Sequence, residues 1–585
     1  MNNYKIRKGK TILEPSSYQR DILHFCHTGV GNGFINACAG ASKTTILENI
    51  IYYVPQDKKK LFIAFNKSIV EEMNNRIDPD EVSNLNITTH HSLGFGILME
   101  NYPNINFIID EEKYSNYIRN NITSLTVYEN LTFKNNEYNT YIRNIIHLIE
   151  YARYYHVSNI PQIKNIAEKY GLNILRDECI VCKKVLAWGR ENIETIDFTD
   201  MVWLVNELNL NTKYHLYDII LIDEAQDTSI MQQEVIERCK KRGCRLFAVG
   251  DSHQAINVWC GADSDAVQKF KGDNVTEFEL PITYRCPKKV VELAKKYSPN
   301  IKAADNAEEG IVRYGVPRHM PTSNDMVLCR NTSPIIEYLL FLLRSNKKAY
   351  IKGSKDIYET LSNIIRNSNA TTIDINCETC DGLIPKMYQS LLHSINNLIN
   401  QGYTEDEAYR HGSILDMYDN ILSIKYLSDN LYTTDELLKK MSDIFNDRSN
   451  EGIILSTIHK AKGLEADNVF ILCPSLLPNP FAKKEWEIIS EEHLIYVAYT
   501  RAKKSLNFIE EPQTTETYRK TSVFDIRKII KDIEQMKKKL SFNIDKNITE
   551  ENFTPIKHNN ENVLGSKKEN SNTKKRSKVN NNMFL

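Results

Sequence analysis

ACAGASKTT (37–45) ends in a lysine and two hydroxyl residues, between a strand-like run and a helix-like one. A loop of small residues in that position lets successive backbone N–H groups point at phosphate oxygens, and the helix N-terminus adds a favourable dipole. Lys43 would reach the outer phosphates and Thr44 would put its hydroxyl on Mg²⁺, with Ala39, Gly40, Ala41, Ser42 and Thr45 completing the cradle. Against the pattern GxxxxGK[ST], Ala37 replaces the first glycine and Ser42 the second. Ser42 fits only if it keeps a negative φ or carries strain. A second cluster, DIILIDEAQD (218–227), is a buried-strand run that ends in two carboxylates. Asp223 at the strand tip would face Mg²⁺, and Glu224 would orient or deprotonate an attacking water. Alone, such an acidic pair reads as solvated loop. With Lys43 and Thr44 ahead of it, the pair reads as the other half of a nucleotide-hydrolysing site.

The elements that must position these groups follow from hydrophobic patterning. GFINACA, LFIAFN (61–66) and NITTHHS read as strands separated by helical patterns, and strand signals return at YDIILIDEA (217–225), CRLFAVGD (244–251) and VTEFELP (275–281). Alternation of this kind predicts βαβ units and a parallel sheet. A second α/β block begins at DMVLCRN (325–331) and resumes at GIILSTIHKAKGLEADNVFIL (452–472) and IYVAYTRAKKSLNFI (495–509). Residues from about 97 to 190 and from about 360 to 445 are helical in pattern. Beyond about 540 the chain becomes Asn/Lys-rich without periodicity and is expected to be disordered.

The chain has 585 residues, 41% hydrophobic and 25% charged, which excludes fibrous and wholly disordered classes. Lys+Arg is 74 and Asp+Glu is 75, so the net charge is −1 and no uniformly basic coat is expected. The N-terminus MNNYKIRKGKTILEP lacks a signal-peptide core, and no apolar run approaches the roughly 20 residues of a membrane span. No membrane association is expected, and the location expected is cytoplasmic or viral/host nucleoid-associated, or nuclear in a eukaryotic or viral host. The CxxC pairs Cys179/Cys182 and Cys377/Cys380 lack finger-like spacing to further ligands and read as buried free thiols.

Other segments join the first two in order. YQRDIL (18–23), AFNKSIVEEM (64–73) and TTHHSLG (88–94) precede IDEAQD, and VGDSHQAINVWCGA (249–262) and LPITYRCP (280–287) follow it. STIHKAKGLEADNV (456–469) and EEHLIYVAYTRAKK (491–504) close the series. This ordered set resembles the Q-motif and motifs I to VI of superfamily 1A DNA helicases, the UvrD/Rep group, nearest its branch of F-box DNA helicases and phage relatives. The resemblance implies that Gln19 reads adenine, Tyr284 stacks on the base and Glu465 lies near the ribose. It implies that Gln254 senses the γ-phosphate and that Arg285 and Arg501 are arginine fingers, so that Lys43, Asp223, Glu224, Gln254, Arg285 and Arg501 form the catalytic set. Thr44 and Asp223 would be the metal ligands, with ATP and Mg²⁺ as cofactors. Phe65, His91, Trp259, Thr457 and His459 fall where the family contacts single-stranded DNA. Aromatic faces stack any base at about 1–3 kcal/mol each. Thr283 stands where much of the family has Asn, and Ala466 where many members have Phe.

The fold so implied is α/β, with two RecA-like P-loop domains built on parallel sheets, each carrying a mainly helical insertion, plus the disordered tail. The expected divisions are 1A at 1–95 and 190–280, 1B at 96–189, 2A at 281–360 and 445–535, 2B at 361–444, and the tail at 540–585. The function implied is an ATP-dependent helicase moving 3′→5′ on single-stranded DNA and unwinding duplex, in replication, repair or recombination. The alternative is a translocase that strips bound proteins without processive unwinding. A monomer is expected, with single-stranded and duplex DNA as partners and replication or recombination proteins meeting the tail.

Overall fold

A computed structural model describes residues 4–8, 11–127, 137–170, 172, 174, 177–256, 270, 274–400, 402–445, 451–482, 485–511 and 526–550. Trp259 and the sequence from 551 to 585 lie outside them.

Six strands build the first sheet: β1 (Asn32–Ala37), β2 (Lys60–Ala64), β3 (Leu85–Thr89), β4 (Tyr217–Ile222), β5 (Lys240–Gly250) and β6 (Val275–Leu280). Their order is β6-β1-β5-β4-β2-β3, and every neighbouring pair is parallel. The runs LFIA and IILI are apolar without alternation because helices cover both faces of the sheet. Helices α1 (Ser17–Thr28), α2 (Lys43–Tyr53), α3 (His90–Asn101) and α4 (Asp200–Glu207) belong to this block. The second sheet contains β7 (Ile311–Val316), β8 (Met326–Cys329), β9 (Ala349–Ile351), β10 (Ile453–Thr457), β11 (Ala466–Ile471) and β12 (Ala502–Ile509). It is also fully parallel, in the order β7-β12-β11-β8-β10-β9. Its helices include α5 (Thr332–Arg344), α6 (Gly412–Leu427), α7 (Glu485–Tyr499) and α8 (Ile526–Glu550).

The helices between α3 and α4 share one apolar core with a face of the first sheet, in which Ile145, Val185 and Trp203 pack with Leu61 and Ile220. Those between β9 and β10, α6 among them, share a core with the second sheet through Ile336, Tyr388, Tyr418 and Leu455. A third core joins the two sheets, with Ile35 and Val249 on one side and Leu328 and Tyr496 on the other. Among the described residues no helix is long and apolar enough to cross a membrane.

One expectation is corrected. The tail was expected to begin at 540, yet α8 continues to Glu550. Ile529, Ile533 and Leu540 recur at helical spacing and are buried against the second insertion, and Tyr418 donates to Asp532 at 2.9 Å. The Asn/Lys-rich composition hides this stripe because the polar face of the same helix supplies most of the residues.

Candidate active site between the two sheets

In the first sheet β1, β5 and β4 are adjacent, so their C-terminal ends deliver the 38–42 loop, Asp251 and Asp223 to one edge. That edge is where parallel α/β sheets bind ligands. Thr44 Oγ1 donates to Asp223 Oδ2 at 2.8 Å, and Lys43 Nζ lies 3.4 Å from Glu224 Oε2. Gln226 ties the acids together: its Nε2 donates to Glu224 Oε2 at 2.6 Å, and its Oε1 accepts the Asp251 N–H at 2.9 Å. Gln254 Nε2 donates to Asp251 Oδ2 at 2.6 Å.

Burial pushes the Asp223 carboxyl upward, and Glu224 beside it adds to the shift. Burial also works to raise Glu224, but Lys43 and Lys462 outweigh it and hold that carboxylate below its ordinary range. Burial likewise opposes the charge on Lys43, yet Glu224, Asp251 and Asp223 keep its ammonium above the usual value. Asp223 is therefore the acid short of a counter-charge. It and Thr44 offer hard oxygens, the donor set that fits a small divalent cation such as Mg²⁺.

The loop is strained at one point. Ser42 does not keep the negative φ that would spare it: its φ is 64°. The turn from β1 into α2 needs a left-handed residue there, which costs a serine roughly 1–2 kcal/mol. Gly40, at φ 74°, meets a second constraint. A Cβ on it would sit 2.6 Å from both Arg285 Cβ and Thr283 Oγ1. Its carbonyl accepts the Tyr284 N–H at 2.9 Å, so the loop rests directly on 283–285.

Arg501 approaches from the second block, fully buried. Its hydrogen bonds go to neutral oxygens: Val497 O at 3.0 Å, Leu464 O at 3.1 Å and Gln254 Oε1 at 3.4 Å. Burial, with Arg285 adding to it, pulls its pKa down to about 10. A buried cation beside a second cation, satisfied only by neutral oxygens, is electrostatically incomplete and suits an anionic ligand. Arg285 Nε is 2.7 Å from Glu465 Oε2. Burial would raise Glu465, but Lys503 and Arg285 hold it low. The residues expected to serve as finger and ribose contact are thus paired with each other. Gln19 is also partly committed, since its Oε1 accepts the Ser16 N–H at 3.0 Å in a capping box that starts α1. The Tyr284 ring is 50% exposed.

Phe65 follows β2 and is 46% exposed. His91, in the first turn of α3, sets its ring 6.4 Å from Phe198, whereas His90 is buried. Thr457 ends β10. His459 follows it, and burial together with Arg330 depresses its pKa to about 3, so it meets a ligand as a neutral ring. Trp259 lies outside the described residues. Ala466 opens β11, and its N–H donates to Arg501 O at 3.1 Å.

Several site residues escaped sequence reasoning. Lys462 pairs with Asp227 and donates to Gln254 O at 2.7 Å. Its signal was available in HKAKG, as was that of Asp251 in the strand-terminal GD. Phe198, 50% exposed, sits in IDFTD without any periodic cue. Cys179 and Cys182 are buried, and among the described residues no cluster of three His, Cys, Asp or Glu fits a metal ion.

A family model described as the UvrD/REP helicase N-terminal domain matches residues 19–274, and one described as the UvrD-like helicase C-terminal domain matches 452–509. The chain is 27% identical over 308 residues to a probable DNA helicase II homolog of Mycoplasma pneumoniae, covering 48% of this chain and 41% of that protein. It is 24% identical over 509 residues to F-box DNA helicase protein 1 of Schizosaccharomyces pombe, covering 81% and 55% respectively. The chain thus spans about half the length of these two relatives. It is 24% identical over 606 residues to ATP-dependent DNA helicase PcrA of Staphylococcus epidermidis, covering 82% of this chain and 81% of that protein.

Proposed function

The chain belongs to the UvrD/Rep helicase family, and on that premise we propose that it is an ATP-dependent DNA helicase. It hydrolyses ATP to move 3′→5′ along single-stranded DNA and to open duplex. The observation that carries this reading is Arg501, a buried guanidinium from one block held against Gln254 of the other by neutral oxygens alone. An ATP triphosphate supplies the anion that this arrangement calls for. Lys43, Arg501 and Arg285 would neutralise charge developing on the transferred phosphoryl group. Glu224, held ionised by Lys43 and Lys462, would orient the attacking water and accept its proton. Thr44 and Asp223 would hold Mg²⁺, which supplies further positive charge to the phosphate oxygens. Arg285 must exchange Glu465 for phosphate, so its ion pair is a resting contact that nucleotide binding breaks. Phe65, His91 and Phe198 support stacking of bases on the first block, and Thr457 and His459 support backbone contact on the second.

Unwinding of 3′-tailed and 5′-tailed duplexes tests the reading. ATP-dependent strand displacement from the 3′-tailed substrate is expected. Displacement only from the 5′-tailed one would overturn the polarity, and none from either would overturn the helicase reading.

A further inference from the structure

Helix α7 touches both halves of the nucleotide site through one face. Tyr496 is fully buried, and its phenol oxygen accepts the Ala39 N–H at 2.9 Å, a bond from the second block to the phosphate-binding loop. Three residues earlier, His493 Nδ1 lies 3.0 Å from the carbonyl oxygen of Ala255, the residue after Gln254. A carbonyl only accepts, so His493 carries its proton on Nδ1. Burial lowers the His493 pKa against the opposing effect of its bond to Ala255. Between the two side chains stands His253, whose ring lies edge-on to Tyr496 at 6.0 Å and to His493 at 6.0 Å. The helix then ends where Thr500 Oγ1 donates to Tyr496 O at 2.7 Å and Arg501 Nε to Val497 O at 3.0 Å. His493 and Tyr496 thus lie in the last two turns of α7, and Arg501 follows directly from its C-terminal end.

We propose that Tyr496 and His493 are positioning residues that seat α7 on the phosphate-binding loop and on the Gln254 segment as one event, which delivers Arg501 to the nucleotide. This rests on the ATPase reading above. Neither side chain meets the phosphates in this role. Tyr496 registers the loop through Ala39, His493 registers the Gln254 segment through Ala255, and the shared helix makes one contact depend on the other. Isolated loss of either bond leaves a buried polar group unpaired and frees the helix to tilt. The consequence falls on Arg501 placement, and so on turnover more than on nucleotide affinity.

The test measures ATP turnover with saturating oligo-dT, together with equilibrium binding of a fluorescent ADP analogue, for wild type, Tyr496→Phe, His493→Leu, His493→Asn and the Tyr496→Phe/His493→Leu double variant. Tyr496→Phe and His493→Leu are each expected to lower DNA-stimulated kcat about tenfold, as one unpaired buried group would, with ADP affinity within about threefold of wild type. His493→Asn, whose amide N–H₂ takes the place of Nδ1–H, restores turnover. The double variant falls no further than the worse single one, because the two contacts report one event. Loss of ADP binding in parallel with kcat, failure of the asparagine to rescue, or multiplying effects in the double variant would overturn the proposal. Wild-type protein without any DNA-stimulated turnover would instead overturn the ATPase reading beneath it.

Discussion

Ser42 bears most of the conformational strain in the phosphate-binding loop, at a φ of 64° that glycine adopts freely. Ser42→Gly should therefore stabilise the first block by about 1 kcal/mol, read as a higher thermal midpoint with ATP hydrolysis retained. An unchanged or lower midpoint would mean that contacts of the serine side chain offset its backbone strain. Lys43, Thr44, Asp223 and Glu224 were legible because phosphate and metal chemistry fixes their types at the ends of particular elements. The Arg285–Glu465 pair was not, because its partners are 180 residues apart and each carried a separate expected task. The Ser16 cap on Gln19 was legible in principle, as S-x-x-Q ahead of a helix, but that glutamine had already been assigned to the base.

Two contacts between elements fix how the helical insertions sit on their sheets. Asn331 precedes α5 without a side-chain cap, and Asp419 of α6 takes over by accepting the Thr332 and Ser333 N–H groups at 3.1 Å each. Asp419→Ala should destabilise the second block by about 1–2 kcal/mol and Asp419→Asn by less, measured by urea denaturation. Equal losses would show that charge rather than acceptor geometry matters. On the first insertion, His156 binds Glu234 at 2.5 Å and lies 3.5 Å from Glu207, and these carboxylates raise its pKa to about 9 against the pull of burial. A raised histidine contributes stability that is full below its unfolded value near 6.5 and is lost as pH climbs through about 9. The thermal midpoint should accordingly fall between those pH values more steeply in wild type than in His156→Gln. Parallel slopes would remove His156 from the linkage. Strands and their parallel pairing were readable from unbroken apolar runs. The extension of α8 was not, because its buried stripe of Ile529, Ile533 and Leu540 is thin and shows its meaning only against the second insertion.

Across the whole molecule, the net charge of −1 says little about function. Lys43, Lys462, Arg285 and Arg501 converge between the two sheets among Asp223, Glu224, Asp227, Asp251 and Glu465, so the cleft is densely charged in both signs beneath a neutral total. The joint core of Ile35, Val249, Leu328 and Tyr496 makes that cleft an interface between blocks, complete only when both contribute. In the proposed motor, nucleotide hydrolysis would thereby be tied to block closure, and DNA held on both blocks would be tied to hydrolysis. The most direct measurement is steady-state ATP hydrolysis by purified wild type and Lys43→Ala protein, with and without oligo-dT. Turnover that rises with oligo-dT in wild type and disappears in Lys43→Ala, while oligo-dT binding persists, is the predicted result. Equal turnover in the two proteins, or wild-type turnover indifferent to DNA, would contradict a DNA-coupled motor at this site.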